Sequence, residues 1–281
     1  MTPRPAPTGT TVVTGVIGDP IHHSLSPLLH NAAFVACDLD WTYVALPVAA
    51  GSGAEAVEAM HTLGIRGLSV TMPHKYAAAE AADRQSTDVE QLGAANCLVL
   101  DDDGLITAHN TDGAGFLGGL EAKAGQSVEG RSVLVFGAGG AARAVIVGCA
   151  RAGASEIVVV NRSEESGRSA VSLAGEIGRL GSVAEVPDVD IVVNATPVGM
   201  GTDPSVPLDP ALLNPSHVIV DLIYDPWETR WLRGARRQGA TTVNGFPMLV
   251  HQAAAQFSLW TGVDAPIEEM ERSVEQWMKR S

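Results

Sequence analysis

The stretch that decides the fold is Ser132 to Ala144, "SVLVFGAGGAARA". An apolar run passes into glycines and then into an alanine-rich helical pattern. Gly137, Gly139 and Ala142 stand in a G-x-G-x-x-A spacing. In that spacing the first glycine makes the tight turn from strand to helix. The second lets backbone approach a pyrophosphate, which sits on the helix N-terminus. A lone glycine pattern is weak, and an ordinary βα turn can carry one. The strand before and the helix after raise it to a dinucleotide fingerprint. The next strand ends in Asn161-Arg162-Ser163, and no carboxylate follows until Glu164. NAD sites place an acidic side chain near that strand end to take the ribose hydroxyls. A guanidinium there suits a 2′-phosphate instead, so the cofactor expected is NADP.

Outward from this motif, short apolar runs alternate with helical patterns almost from end to end. Strands are expected at "TVVTGVIG", "WTYVAL", "IRGLSVT", "NCLVL", "SVLVFG", "EIVVVN", "DIVVNA", "HVIVDLI" and "TTVNG". Helices are expected over 27–37, 52–63, 113–124, 140–152, 163–178, 227–237 and 246–261. This predicts an α/β fold with mostly parallel sheets and two domains. One domain comprises 1–112 plus 246–281, and a Rossmann-type nucleotide-binding domain comprises 113–245. The chain's 281 residues suffice for two cores, and 46% hydrophobic residues argue for a folded chain. A formal charge of −14 argues against nucleic acid as a partner, which needs a basic face. The N-terminal "MTPRPAPTGT" has prolines where a signal peptide needs an apolar core, and "AARAVIVGCARAG" is too short and too charged to span a bilayer. Cys37, Cys97 and Cys149 are far apart and odd in number. They read as free thiols in a reducing cytoplasm, with no metal site expected.

The first domain carries chemistry of its own. In "GVIGDPIHHSLSPLLHN", residues 15 to 31, Ser26-Pro27 reads as a helix N-cap followed by proline at the first helical position. That does not account for Ser24. Two hydroxyls beside a helix N-terminus form a site for a small anion such as a carboxylate. His22, His23 and His30 are further donors, or plain structural histidines. In "GLSVTMPHK" a strand ends in Thr71, Pro73 and Lys75. The chain holds only three lysines against fifteen arginines. Lys123 and Lys279 lie near helix ends, where a cation is merely favourable. Lysine gives up its proton on desolvation and arginine does not, so Lys75 is a candidate acid/base, the alternative being an exposed loop lysine. Asp112 in "HNTDG" is an N-cap or a carboxylate facing the site, and Asn96 in "GAANCLVL" is an amide donor or a turn residue. An anion site, a lysine, a carboxylate and amides beside a nicotinamide domain suit reduction of a polyhydroxylated keto acid.

With these residues in view the chain resembles the shikimate dehydrogenases. "GDPIHHSLSPLLHN", "SVTMPHK", "GAANCLV", "HNTDG", "GAGGAARA", "NRS", "NATPVGM", "DLIYDPWET" and "NGFPMLVHQAAAQFSLWTG" follow in that family's order, over about 13 to 262. The resemblance implies NADP-linked reduction of 3-dehydroshikimate to shikimate in aromatic amino-acid biosynthesis. It implies that Ser24 and Ser26 hold the substrate carboxylate. Thr71, Asn96, Asp112, Tyr224 and Gln252 contact ring and hydroxyls, and Lys75 is the acid/base with Asp112 beside it. Gly137, Ala138, Gly139, Gly140 and Ala141 take the pyrophosphate. Asn161, Arg162 and Ser163 begin the segment at the adenosine ribose and its phosphate, which runs on to Ser166. Leu222 and Gly245 line the nicotinamide end. The final helices return to the first domain.

The sequence departs from the family pattern at four places. Ser69 stands where Asn is common and His74 where Phe is common. Cys97 replaces a frequent Thr, and Gln256 sits where some members have His. These departures bear on which polyol acid is preferred. A close rival is an NAD-dependent quinate/shikimate dehydrogenase, against which Arg162 argues. A distant rival is a dinucleotide-binding sensor without catalysis, against which Lys75 and Asp112 together argue. A third is another two-domain reductase sharing only the glycine motif, against which the first-domain motifs argue. The assembly expected is a monomer or a homodimer.

Overall fold

The structure is a computed structural model and describes residues 6–279. In chain order its elements are β1 (Val12–Gly18), α1 (Ser26–Ala36), β2 (Trp41–Pro47), α2 (Gly53–Leu63), β3 (Gly67–Val70), α3 (Lys75–Ala81), β4 (Arg84–Gln85), α4 (Thr87–Leu92), β5 (Cys97–Leu100) and β6 (Ile106–His109). They continue with α5 (Asp112–Ala124), β7 (Ser132–Phe136), α6 (Gly140–Arg151), β8 (Glu156–Val160), α7 (Glu164–Val171), β9 (Gly178–Leu180), β10 (Ile191–Asn194), β11 (Val218–Asp221), α8 (Arg230–Arg237), β12 (Thr241–Val243), α9 (Phe246–Thr261) and α10 (Ile267–Met278). Two compact units result. One comprises the chain to Thr111 together with Gln252 onward, and the other Asp112–His251. The second division therefore falls inside α9.

The unit Asp112–His251 holds an all-parallel sheet in the order β12-β11-β10-β7-β8-β9. Its strands read as unbroken Val/Ile runs because both faces are covered. Val133 and Val135 enter one core with Ile157, Val159 and Val193, while Leu134 and Phe136 enter another with Val158, Trp231 and Leu232. The strand order reverses between β7 and β10, which is the doubly wound dinucleotide topology with its crevice at the strand C-termini.

The other unit holds the order β2-β1-β3-β5-β6-β4. β2, β1 and β3 run parallel, but β5 is antiparallel to both β3 and β6. The sheet is thus mixed where a mostly parallel one was expected. The cause is a hairpin at Asp101–Leu105: Asp101 N–H donates to the Leu105 carbonyl at 2.8 Å, and Gly104 takes φ +82°. α10 packs on α1, so the chain's end rejoins its beginning.

Several elements differ from their expected form. The helix expected over 163–178 ends at Val171. A 3-10 stretch Ser172–Ile177 follows, with Gly175 at φ +60° breaking the pattern. The helix expected from 227 starts at Arg230, where Thr229 Oγ1 accepts from Leu232 N–H at 3.2 Å and caps it. α3, α4, β4, β6 and β9 were not foreseen, being two to seven residues each. Ser26 is not an N-cap. It is the first helical residue, Leu25 holds the cap position, and the Ser24 hydroxyl accepts from Ser26 N–H at 3.3 Å.

Candidate active site

At the carboxyl ends of β1 and β3 the backbone keeps two strands in step beyond the sheet. Thr71 N–H donates to the Ile17 carbonyl at 3.0 Å and Asp19 N–H to the Met72 carbonyl at 3.1 Å. Gly18 permits this approach, since a Cβ there would stand 2.5 Å from Thr71 Cγ2. The loop carrying Ser24 and the loop Thr71–His74 are therefore neighbours. Lys75 is not an exposed loop lysine, the alternative that the sequence left open: it opens α3, half-buried. Its carbonyl accepts from Ala95 N–H at 2.9 Å, and the Asn96 carbonyl accepts from Val70 N–H at 2.8 Å.

Asn96 is buried immediately before β5. Its Oδ1 accepts from Thr111 N–H at 2.7 Å, and its Nδ2 donates to Thr111 Oγ1 at 3.0 Å and to Gln252 Oε1 at 3.4 Å. One edge of this unit thus gathers Ser24, Ser26, Thr71, Lys75, Asn96 and Gln252. His22 and His23 are exposed. His30 is fully buried, and loss of water lowers its pKa to about 3, so it is a neutral packing ring.

The unit Asp112–His251 carries the remaining candidates. Asp112 is buried at the first residue of α5. At the crevice of the parallel sheet, Gly137 turns the chain at φ +110°, its N–H donating to the Val160 carbonyl at 3.0 Å. Ala138 follows half-buried. Gly139 occupies the N-cap of α6, exposed, with nothing within 4 Å of where a Cβ would stand. Gly140 and Ala141 supply the first-turn N–H groups, which an α-helix leaves without internal partners. This open, donor-lined cradle fits a pyrophosphate.

At the end of β8, Asn161 Nδ2 donates to the Ser163 carbonyl at 2.9 Å and the Ser163 hydroxyl caps α7 by accepting from Ser166 N–H at 3.3 Å. Arg162 is exposed between them. The carboxylate of Glu164 pairs with Arg168 at 2.5 Å, four residues along the same helix. That leaves the β8 terminus with a cation and no ribose-binding acid.

After β11, Leu222 and Gly245 are brought back to back. Leu222 N–H donates to the Asn194 carbonyl at 3.0 Å, Gly245 N–H donates to the Ile223 carbonyl at 2.9 Å, and a Cβ on Gly245 would lie 2.0 Å from the Leu222 carbonyl oxygen. Tyr224 follows, half-buried. Burial raises its phenol pKa, and the Asp225 charge adds to the rise.

Three polar residues of the first unit lay outside the sequence reading or appeared in it only as departures: Tyr43, Ser69 and Gln256. All are buried, and they adjoin Asn96 and Gln252. Thr111 was visible only as a letter of the "HNTDG" motif. In the other unit, buried Asp221 accepts from Asn194 Nδ2 at 3.0 Å and Thr229 Oγ1 at 2.7 Å, and burial raises its pKa. These bonds shape the "NATPVGM" loop beside the glycine turn. No group of His, Cys, Asp and Glu among the described residues is arranged to hold a metal, and no described helix is long and apolar enough to cross a membrane.

Comparison with known proteins gives the family and the fold. The family model for the shikimate dehydrogenase substrate binding domain matches residues 16–98, and that for the shikimate 5′-dehydrogenase C-terminal domain matches residues 245–275. A shikimate dehydrogenase (NADP+) of Citrifermentans bemidjiense is 42% identical over 95% of this chain and 96% of its own. A crystal structure of a shikimate dehydrogenase in complex with NADP+ is 35% identical, covers 96% of each chain and superposes with TM-score 0.90. The Thermus thermophilus shikimate 5-dehydrogenase in complex with NADP(H) and shikimate is 32% identical, covers 94% of this chain and 99% of its own, and gives TM-score 0.88. Identity at this level over nearly the whole length, joined to the same fold, places the chain in the shikimate dehydrogenase family.

Proposed function

We propose that this protein catalyses the reversible NADPH-dependent reduction of 3-dehydroshikimate to shikimate. The observation that carries the reading is the gathering of Ser24, Ser26, Thr71, Lys75, Asn96 and Gln252 at one sheet edge, in a chain that also builds a dinucleotide cradle ending in Arg162. The unit with that edge binds the polyol acid, and the unit Asp112–His251 binds the nucleotide. When bound, NADP supplies or accepts the hydride. The chain's own part is to bind, orient and move a proton.

The hydroxyls of Ser24 and Ser26, at the N-terminus of α1, receive the substrate carboxylate. Thr71, Asn96, Tyr224 and Gln252 bind its ring oxygens. In oxidation Lys75 Nζ takes the proton of the reacting hydroxyl, and in reduction it returns that proton to the carbonyl oxygen. Asp112 is the second catalytic group. Asn161, Arg162 and Ser163 hold the adenosine ribose and its 2′-phosphate. Leu222 and Gly245 border the nicotinamide. Three free cysteines, two of them buried, suit a cytoplasmic enzyme. We place the assembly at monomer or homodimer, which sedimentation distinguishes.

Initial rates with shikimate and quinate, each with NADP+ and NAD+, test the reading. Shikimate with NADP+ is expected to give the highest kcat/KM, by at least about tenfold over NAD+ if one charge-assisted bond to the phosphate is made. Preference for quinate with NAD+ would overturn it.

A further inference from the structure

Ser69 and Gln256 depart from the family pattern separately in the sequence, 187 residues apart, yet they touch: Ser69 Oγ lies 2.5 Å from Gln256 Oε1. Tyr43 OH lies 2.6 Å from the same Ser69 oxygen. The directions of these bonds follow from chemistry alone. Gln256 Nε2 faces the Asn96 carbonyl at 3.1 Å, Thr111 Oγ1 at 3.3 Å and Gln252 Oε1 at 2.8 Å. A backbone carbonyl only accepts, so the nitrogen end of Gln256 belongs there and Oε1 must face Ser69. Oε1 accepts, so the single Ser69 proton goes to Gln256. Ser69 must then accept from Tyr43, which spends its own proton on Ser69.

The chain therefore runs one way, from Tyr43 through Ser69 to Gln256, and every member is buried. The Tyr43 ring is held flat against His30, centroids 4.4 Å apart at 15°. The Ser26 hydroxyl also bears on the phenol oxygen. At the far end, Gln252 Oε1 accepts from Gln256 Nε2 at 2.8 Å and from Asn96 Nδ2 at 3.4 Å. The oxygen end of the Gln252 carboxamide is thereby turned into the cluster, which makes its other end a donor.

We propose that Tyr43, Ser69 and Gln256 are positioning residues that lock the Gln252 carboxamide in the one orientation whose nitrogen donates to substrate oxygens, an inference that rests on the function proposed above. Only a group that accepts from Tyr43 and donates to Gln256 completes the chain. Serine does both through one hydroxyl, and so does threonine. Alanine does neither. Without the lock, the Gln252 carboxamide samples its other flip, and apparent affinity falls by the fraction still in the competent one.

The test is steady-state kinetics of shikimate oxidation with NADP+, together with NADP+ titration, on the full chain and its variants. Ser69→Ala is expected to raise KM for shikimate about tenfold, the factor set by losing one buried hydrogen bond, with kcat and NADP+ affinity little changed. Ser69→Thr is expected to restore KM. An unchanged KM in Ser69→Ala, equal losses in kcat and NADP+ binding, or failure of Ser69→Thr to restore KM would each overturn the proposal while leaving the proposed reaction standing. A wild-type protein inactive on shikimate overturns both. Should Ser69→Ala not fold, Tyr43→Phe keeps the ring and its stacking and carries the same test, with a raised KM expected and an unchanged one overturning the proposal.

Discussion

The two glycines of the fingerprint serve different ends, and alanine separates them. Gly137 sits at φ +110°, and a Cβ built there would lie 3.0 Å from the Ala195 carbonyl oxygen and 3.2 Å from Thr196 Cγ2. Strain at such a φ costs about 1–3 kcal/mol. An alanine recovers about 0.4–1 kcal/mol by restricting the unfolded chain. Gly137→Ala should thus lose about 1–2 kcal/mol, which lowers Tm by about 2–8 °C at this size. Gly139 differs in both respects: φ is −77°, and nothing stands within 4 Å of its Cβ position. Exchanging glycine for alanine at an N-cap costs up to about 1 kcal/mol, and the unfolded-state gain offsets it. Gly139→Ala should melt within about 2 °C of the wild type.

The ligand reverses the order. On the proposed function, the open space at Gly139 receives the pyrophosphate at the helix N–H groups, and a methyl there would displace it. Losing one charge-assisted bond weakens NADP+ by about 10- to 100-fold. Thermal melts without cofactor and calorimetric NADP+ titration read the two effects separately. A Gly139→Ala protein that binds NADP+ like the wild type would remove the pyrophosphate from this turn. A Gly137→Ala protein with unchanged Tm would refute the strain argument.

Lys75→Met should cut kcat for shikimate by about 10²–10⁴ while NADP+ affinity holds, and near wild-type turnover would strip Lys75 of the acid/base role. Arg162→Ala removes an exposed side chain, so Tm should stay put; comparing kcat/KM for NADP+ and NAD+ should show the preference for NADP+ shrinking about tenfold through NADP+ alone, and a preference that survives would place the phosphate elsewhere. Gly67→Ala drives a Cβ to 2.4 Å from the Trp260 indole, a rigid ring held by its own bond to the Leu98 carbonyl, and should cost about 1–3 kcal/mol in urea unfolding; unchanged stability would mean that the ring moves freely.

What the sequence made legible was local. Continuous Val/Ile runs announced a sheet covered on both faces, and the glycine spacing announced the turn at its crevice. Ser26 misled because Ser-Pro at a helix start reads as cap and first residue, whereas the capping-type contact here comes from Ser24, two residues earlier. α3 and α4, seven and six residues long, give too few turns for a helical period to register. Tyr43 left no trace, and Ser69 and Gln256 stood out only as departures from a family pattern, with nothing local to say what they do. A polar residue inside an apolar strand becomes intelligible only when the register supplies its partners.

The antiparallel β5 shows how far the site depends on that non-local order. Ligand sites in parallel sheets gather at strand C-termini, so a residue preceding a parallel strand would lie at the wrong edge. Asn96 precedes β5. Because β5 runs against β3, with Cys97 opposite Ser69, its start lies beside the end of β3, and the Asn96 carbonyl takes the Val70 N–H. The hairpin then returns β6 the other way, with His109 opposite Cys97, so that Asn110 and Thr111 leave the sheet at the same edge. One reversal thus brings "GAANC" and His109–Thr111 beside "SVTMPHK", and Thr111 meets Asn96 and Gln252 there. The motifs named the residues. The turn at Asp101–Leu105, at the opposite end of the sheet, is what sets them side by side.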